Sequence, residues 1–381
     1  MDIRDVIRRI DWILMLTVLG LLAYSVVIIY FGTKDDGLGA WYWAKRQLVF
    51  IPVGLIAMSA LAAIDYERFR RWYWPLWIFT VASIAVVYVL GPITRGSKRW
   101  IPLGFINLQP SELAILLLCV GLAALLVSRL DSLGSVKLTL LGLAYVGVPA
   151  ALVFLQPDLG TATVIMAMGL GVLFFFGTRW THFAALAGSV AAVLVTVLVV
   201  LPALGIHLLK DYQIARLTVF LHPGADPSGA GYNVHQAMIA VGAGGLAGRG
   251  SLATQTQLAF LPEHHTDFIF AVAGERWGFV GVVALLVLFA LLIWRALRIA
   301  TLARDMYGSI MAGGIATVFL YQVLVNTGMT LGIMPVTGIP LPFISYGGAA
   351  MLTNLLLIGL LQSIHLRGAQ AQVMRTKIRV D

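Results

Sequence analysis

The sequence has little charge and almost no cysteine. Only 11% of its 381 residues are charged, whereas 60% are hydrophobic and the mean hydropathy is +0.92. Soluble domains typically carry about 25% charged residues, so this composition excludes a water-soluble globular enzyme. Cys119, in an apolar run, is the only cysteine. A single cysteine excludes an intrachain disulfide and a cysteine metal cluster.

Long apolar runs predict an all-α, polytopic membrane protein. A helix in lipid satisfies its own backbone hydrogen bonds, and about 20 apolar residues cross the bilayer. The ten predicted spans are 11–31, 47–64, 72–91, 110–128, 138–155, 160–177, 182–203, 267–293, 308–330 and 343–365. We expect one membrane domain over 1–381, with a long loop at 204–266 and a basic tail at 366–381. Apolar periodicity in 234–246 predicts a helix within that loop, lying in the membrane interface.

The Lys and Arg residues in the connections indicate the orientation, because cytoplasmic loops carry an excess of them. With the N-terminus inside, sixteen of the 26 Lys and Arg residues fall on the cytoplasmic side and nine on the outer side. Both termini are therefore predicted to be cytoplasmic, and the 204–266 loop, between spans seven and eight, extracytoplasmic. The net charge of +9 then indicates loop bias and anionic lipid headgroups rather than nucleic acid. No removable signal peptide is recognisable, so the first span is expected to be retained.

Ionisable residues near span ends are candidates for function, since charge in a membrane is costly. Glu112, Asp158 and Asp267 all fall at outer ends of predicted spans. Structural roles are open for each: Glu112 could cap a helix, Asp158 could form a tight turn, and Asp267 could follow a Thr266 cap. For Asp267 the alternative is a general base whose pKa is raised by partial desolvation at the membrane surface.

The outer loop before the fourth span is basic. It contains Arg95, Lys98 and Arg99 next to Trp100. These residues could form an interfacial belt of snorkelling side chains or bind an anionic substrate. The convergence of this cation cluster and three carboxylates on one face favours a site.

Two other patterns carry less weight. His264 and His265 follow Glu263 and precede Asp267, but they lack the HExxH spacing, so a zinc site is not predicted. The glycines between 242 and 250 do not follow a strand of a βαβ unit. We interpret them as turns or close helix packing rather than as a nucleotide site.

Five sequence runs, spread from about residue 91 to residue 348, occur in an order typical of one family. The runs are RGSKRWIPLGFINLQPSELA, FLQPDLGTA, QAMIAVGAGGLAGRG, TQTQLAFLPEHHTDFIFAVAGE and NTGMTLGIMPVTGIPLPFISYGG. They closely resemble the SEDS family, and within it the RodA branch of rod-shape proteins more than the FtsW division branch. The predicted span number and topology agree with that family.

The resemblance implies a peptidoglycan glycosyltransferase that polymerises lipid II into glycan strands at the outer face of the cytoplasmic membrane, for cell elongation and rod shape. It also implies a class B penicillin-binding protein as partner, along with other membrane proteins of the elongation complex. A lipid II flippase is the main alternative, because ten spans, proline-broken segments and membrane carboxylates are also typical of transporters. Carboxylates at one face rather than at the midplane favour the polymerase over the flippase and over a scaffolding subunit.

The resemblance also implies roles for individual residues. Asp267 matches the family's essential aspartate and is the candidate general base for attack by a sugar hydroxyl. The substrate-binding candidates are Trp100, Arg95, Lys98, Arg99, Glu112, Asp158, His265 and Arg249. The cations among them would clamp the diphosphate, with a divalent ion such as Mg²⁺ as helper and Asp267 and Glu112 as its candidate ligands. No organic cofactor is expected.

Two positions depart from the family pattern. Ile115 stands where the family usually has a lysine, and Glu275-Arg276 stands where it usually has two glutamates. Because one change removes a cation and the other introduces one, we hypothesise that Arg276 supplies the cation missing at Ile115.

Overall fold

The protein is described by a computed structural model over residues 9–33, 41–92, 98–102, 104, 107–205, 230–253 and 265–380. The helices are α1 (Trp12–Thr33), α2 (Tyr42–Ala63), α3 (Tyr73–Leu90), α4 (Pro110–Val127), α5 (Val136–Leu155), α6 (Leu159–Phe176), α7 (Trp180–Ala203), α8 (Ala230–Gly244), α9 (Ile269–Leu302), α10 (Met306–Thr330) and α11 (Gly348–Val380). Short 3-10 helices lie at Tyr66–Trp72, Leu130–Ser132 and Gly250–Leu252, and a two-stranded hairpin pairs β1 (Ile101–Pro102) with β2 (Asn107–Leu108).

Among the described residues, ten helices are long and apolar enough to cross a membrane, which confirms the predicted fold class and number of spans. Several boundaries differ from the prediction. α2 begins five residues earlier, at Tyr42, and α9 continues to Leu302 because good helix formers follow its apolar run. The last span begins at Gly348, since the preceding α10–α11 segment (331–347) contains prolines and is not helical.

The centre of the bundle is α4, which is almost entirely buried. It packs against α3, α5, α6, α10 and α11, while α11 lies along α2 and α9 lies against α1 and α10. α7, in contrast, has no buried residue and lies at the periphery. Small residues allow close helix contact: a Cβ on Gly359 of α11 would lie only 2.5 Å from the Met58 carbonyl oxygen of α2.

Contacts at one end of the bundle, here called the terminus end, bring the beginning of α1 and the later turns of α11 to the same side. Asp11, just before α1, accepts a hydrogen bond from Nε of Arg295 in α9 at 3.0 Å and donates its backbone N–H to Gln362 of α11 at 3.2 Å. Arg367 of α11 donates to carbonyls at the end of α2. α11 continues beyond it, so the basic tail predicted at 366–381 begins as the last turns of this helix. At the opposite end, here called the site end, α2, α4, α6, α9 and α11 begin.

The helix predicted within the long loop is α8. It packs against α9 and α10, with Val234, Ala237 and Ala240 buried on its inner face. The prediction of a helix is confirmed, and its position in the membrane interface stays a prediction.

The glycines that follow α8 pack against a kink in α9. Gly278 interrupts the α9 backbone with φ +62°, a conformation that favours glycine. A Cβ on Gly248 would lie 2.2 Å from the Arg276 carbonyl oxygen, and the Arg249 N–H donates to the Glu275 carbonyl at 2.8 Å. Gly248 therefore serves close packing, and Gly245 and Gly250, each with φ +55° and open space at the Cβ position, serve turns; both uses were predicted from the sequence.

Candidate active site

Asp158 is the centre of a polar network at the site end. It caps α6: Oδ1 accepts the Thr161 backbone N–H at 3.2 Å and Oδ2 accepts the Thr161 hydroxyl at 3.1 Å. The same Oδ2 accepts Nε2 of Gln109 at 2.6 Å and lies 3.4 Å from a guanidinium nitrogen of Arg99. Asp158 and Gln109 are buried, whereas the Arg99 side chain is 26% exposed. Asp158 therefore combines a cap with an ion pair, and the cation keeps one open side.

Glu112 is buried in the first turn of α4, beside that network. Gln109 is the extended N-cap residue, and Pro110 occupies the first helical turn, where its missing N–H costs nothing. The Glu112 N–H donates to the Gln109 carbonyl at 3.1 Å. The Glu112 carboxyl group lies close enough to Asp158 and Arg99 to interact with both electrostatically. Two neighbouring buried carboxyl groups need a compensating cation, and Arg99 supplies it.

The other cations predicted for the site lie around the hairpin and after α8. Lys98, Arg99 and Trp100 are half-buried just before β1, and the Arg99 guanidinium carbon lies 5.9 Å from the Trp100 ring centroid. Because Arg99 pairs with a buried carboxylate, it is more than a member of an interfacial belt. Arg249 is exposed. Arg95 lies outside the described residues.

Asp267 is half-buried immediately before α9. Phe268 is the N-cap residue of α9 and makes no side-chain cap bond, so the cap predicted at Thr266 is wrong: residues 265–268 form a turn that precedes the helix. The Asp267 carbonyl accepts Nδ2 of Asn326 at 2.9 Å. Its Oδ2 lies against Gly338, where a Cβ would be 3.4 Å away and the backbone has φ +71°.

The α10–α11 segment joins Asp267 to the Asp158 network. A Cβ on Gly160, in the first turn of α6, would lie 2.8 Å from the Thr337 carbonyl oxygen and 3.4 Å from the Gly338 carbonyl carbon. Gly338 is exposed. The start of α6, with its cap Asp158, and the Asp267 carboxylate therefore both contact the same short stretch of exposed backbone.

His265 packs in an aromatic cluster at the start of α2. Its ring stacks on Trp43, with centroids 4.5 Å apart and an interplanar angle of 26°, and Tyr346 packs edge-on against Trp43 at 4.7 Å. The Tyr346 N–H donates to the His265 carbonyl at 2.9 Å, and the Ser345 hydroxyl donates to the next carbonyl at 2.7 Å. These contacts fix the backbone that leads into Asp267. Burial raises the pKa of Tyr346, so its hydroxyl is protonated at neutral pH.

Arg276 lies inside the bundle rather than towards lipid. It is buried in α9, and its guanidinium carbon lies 5.1 Å from the Phe31 ring centroid of α1. Ile115 is buried in the apolar core. Arg99 interacts electrostatically with Glu112, and the hypothesis that Arg276 supplies the cation missing at Ile115 stays a prediction.

A divalent helper ion, with Asp267 and Glu112 as its candidate ligands, stays a prediction. Among the described residues, no group of three or more His, Cys, Asp or Glu side chains could hold a metal ion. Both oxygens of Asp158 already accept hydrogen bonds from Thr161, and Oδ2 also contacts Gln109 and Arg99. Asp158 is therefore engaged as a helix cap and an ion-pair partner, and it was not among the predicted ligands.

The sequence reasoning missed three buried polar residues that hold the α10–α11 segment. Nδ2 of Asn326 donates both to the Asp267 carbonyl at 2.9 Å and to the Ile339 carbonyl at 2.8 Å. The Ser25 hydroxyl donates to a carbonyl of the segment at 3.0 Å and accepts Nε2 of Gln47 at 2.9 Å. A polar residue within an apolar span is itself a signal of function or of backbone pairing, and that signal applies to all three.

Known proteins resemble this chain along nearly its whole length. The sequence profile of the cell cycle protein family of FtsW, RodA and SpoVE matches residues 8–370. Peptidoglycan glycosyltransferase MrdB of Escherichia coli (strain K12) is 41% identical over 358 residues, covering 94% of either chain. Stage V sporulation protein E of Bacillus subtilis (strain 168) is 35% identical over 363 residues, covering 94% of this chain and 96% of its own.

Two similar solved structures agree. A peptidoglycan synthase complex, described as coordinating polymerization and crosslinking, contains a chain that is 32% identical with a TM-score of 0.80, covering 95% of this chain and 99% of that one. The crystal structure of the Thermus thermophilus rod shape determining protein RodA is 29% identical with a TM-score of 0.68, covering 93% and 96%. The chain therefore belongs to the FtsW, RodA and SpoVE family of cell cycle proteins.

Proposed function

We propose that this protein is a peptidoglycan glycosyltransferase that polymerises lipid II into glycan strands, with Asp267 as its general base. The observation that carries the proposal is the position of the Asp267 carboxylate against exposed Gly338, on the backbone stretch that also contacts the α6 end capped by Asp158. Arg99 pairs with that cap. The family motifs and the name of the MrdB relative support the same activity.

The reaction exchanges a phosphate ester bond for a glycosidic bond. A sugar hydroxyl of one lipid II molecule attacks the anomeric carbon of another, and its proton passes to the Asp267 carboxylate. The bond from the anomeric carbon to the diphosphate oxygen breaks, and its electron pair leaves with the lipid diphosphate. A positioned general base typically contributes about 100- to 10,000-fold. Direct displacement inverts the anomeric carbon, and diphosphate is a good enough leaving group to need no second carboxylic acid, unlike a glycosidase.

Of the three carboxylates, Asp267 is the best placed to accept a proton. Both oxygens of Asp158 accept hydrogen bonds from the protein. Glu112 is buried in the first turn of α4. Asp267 is half-buried and its Oδ2 lies at an exposed glycine. Asp158 and Glu112 therefore hold and balance Arg99 in this proposal, while Asp267 reacts.

Arg99 is the group best placed to bind the diphosphate. Asp158 holds one side of its guanidinium, and the side chain as a whole is 26% exposed. A planar guanidinium matches phosphate oxygens in a bidentate geometry. Lys98 and Trp100 flank it at the start of the hairpin.

The membrane placement follows the charge bias. The chain is a multi-pass membrane protein, and we place it in the bacterial cytoplasmic membrane with the site end facing outwards, where lipid II headgroups are polymerised. The excess of Lys and Arg at the terminus end supports this orientation. A class B penicillin-binding protein, which would crosslink the strands, is the proposed partner, together with other membrane proteins of the elongation complex.

A lipid II flippase is not supported. Transport sites of secondary carriers lie near the bilayer midplane and reach both faces. Here Glu112, Asp158 and Asp267 all lie at or before first helical turns at one end of the bundle.

The experiment compares polymerisation with lipid scrambling. The purified protein, in complex with its partner, is given lipid II in detergent, and the length of the glycan product is measured by gel electrophoresis. The same complex is reconstituted in vesicles, where transfer of labelled lipid II between leaflets is measured. We expect long glycan strands and no accelerated transfer. Accelerated transfer without polymer would instead establish the flippase.

A further inference from the structure

Arg46 lies beside two tyrosines at the site end of α2. Its guanidinium carbon lies 5.1 Å from the centroid of the Tyr42 ring, and the guanidinium lies close enough to the Tyr346 hydroxyl to interact with it electrostatically. The Arg46 side chain is nevertheless exposed. An exposed arginine normally samples many rotamers, so these two contacts give the cation a defined position.

Arg46 is connected to the backbone that carries Asp267. Tyr346 packs against Trp43 at 4.7 Å, and Trp43 stacks on His265 at 4.5 Å. The Tyr346 N–H also donates to the His265 carbonyl at 2.9 Å. The cation thus belongs to the aromatic cluster that ends two residues before the proposed general base.

No carboxylate neutralises this cation within the part of the chain that the structure describes, where the ion pairs involve other arginines. A guanidinium carries five N–H donors in a planar fork, more than the Tyr346 hydroxyl and the Tyr42 ring can engage. Phosphate oxygens match that fork. Lipid phosphates lie at the level where membrane spans end, so the chemistry of Arg46 fits a lipid phosphate.

We propose that Arg46, held by Tyr42 and Tyr346, binds a phosphate group of a lipid at the membrane surface. Two lipids offer this group at that level: the diphosphate-linked substrate and an anionic phospholipid. The link to the backbone before Asp267 favours the substrate diphosphate. In that form the inference rests on the proposed function and adds a substrate-binding residue to it.

The test uses Arg46→Gln, Arg46→Lys and Tyr346→Phe, with Lys45→Gln as the matched control because Lys45 is an exposed cation one residue away. Initial rates of polymer formation by the full protein with its partner are measured against lipid II concentration in detergent, and then in vesicles with and without phosphatidylglycerol. Losing a hydrogen bond to a charged group corresponds to about a tenfold change or more. We expect Arg46→Gln to raise KM about tenfold with an unchanged kcat, Arg46→Lys and Tyr346→Phe to raise it less, and Lys45→Gln to match the wild type.

The two phosphate sources give different results. A raised KM in detergent identifies the substrate diphosphate, whereas an unchanged KM with loss of the phosphatidylglycerol dependence identifies a phospholipid; either result supports the site. A well-folded Arg46→Gln protein that matches the wild type in both assays overturns the inference, and Tyr346→Phe decides if Arg46→Gln does not fold. Asp267→Asn separates the two proposals, because polymerisation that survives it removes the proposed function, while an inactive Asp267→Asn beside an unaffected Arg46→Gln removes only the Arg46 site.

Discussion

Asn326→Ala should displace the general base without dismantling the bundle. The Nδ2 group of Asn326 is the donor for two carbonyls, at 2.9 Å to Asp267 and 2.8 Å to Ile339, and Asn326 is fully buried. A buried polar group that loses its partner costs about 1–3 kcal/mol, so two orphaned carbonyls cost roughly 2–6 kcal/mol. This cost falls on the contact between the start of α9 and the α10–α11 segment, which sets where Asp267 lies against Gly338.

The assay separates position from binding. We expect Asn326→Ala to lower kcat for glycan polymerisation at least about tenfold, which corresponds to about 1.4 kcal/mol of the barrier, with a smaller change in KM because Asn326 does not touch the substrate. The control is Thr327→Val. The Thr327 hydroxyl donates to Val323 and Leu324 carbonyls of its own helix, so its removal should change kcat less than about twofold. Equal kcat and equal unfolding temperature for the two variants would refute the positioning role.

Three further substitutions test other parts of the site. Arg99→Gln should raise KM for lipid II by about tenfold, since a charged hydrogen bond contributes about 1.5–3 kcal/mol, and an unchanged KM would exclude Arg99 from the diphosphate site. Gly338→Ala should lower both kcat and the unfolding temperature, because φ +71° costs a non-glycine residue about 1–2 kcal/mol and the new methyl group contacts Asp267 Oδ2; wild-type kcat would contradict that contact. Burial raises the pKa of Tyr346 above its ordinary 10.0, so the stability from its neutral hydroxyl is complete below pH 10 and is lost as the pH rises further. Thermal unfolding from pH 8 to pH 11 should show this loss in the wild type and a smaller one in Tyr346→Phe.

The membrane spans could be read from the sequence because lipid imposes a simple condition on the backbone. Each span must satisfy its own hydrogen bonds over about 20 apolar residues, and hydropathy reports that length directly. The predicted boundaries failed where that condition no longer holds. The segment before Gly348 is apolar, but its prolines prevent a helix. Its carbonyls need no helix, because buried side chains such as Ser25 and Asn326 donate hydrogen bonds to them.

The candidate site was only partly predictable. Glu112 and Asp158 were both predicted at outer ends of spans, next to a basic loop. The structure brings the two carboxyl groups together with Arg99. The environment of Asp267 did not follow from the sequence, because Asn326 and Gly338 reach it from a segment distant in sequence. Contacts of this kind depend on how helices pack, and one sequence read by hydropathy contains no measure of that packing.

The cap predicted at Thr266 was wrong for a related reason. Threonine before an apolar run favours a helix start, but here the Thr266 carbonyl accepts the Ser345 hydroxyl at 2.7 Å and the chain continues through a turn before α9. A tertiary hydrogen bond therefore overrides the local preference.

The central claim is that Asp267 accepts the proton of the attacking hydroxyl. The most direct measurement is kcat for glycan polymerisation by Asp267→Asn, in complex with the partner and with saturating lipid II. The control is Asp131→Asn, which changes an exposed aspartate in the connection between α4 and α5. We expect Asp267→Asn to lower kcat at least about 100-fold with unchanged thermal unfolding. We expect the control to polymerise at the wild-type rate. A folded Asp267→Asn protein that polymerises lipid II at a rate within about twofold of the wild type would contradict the central claim.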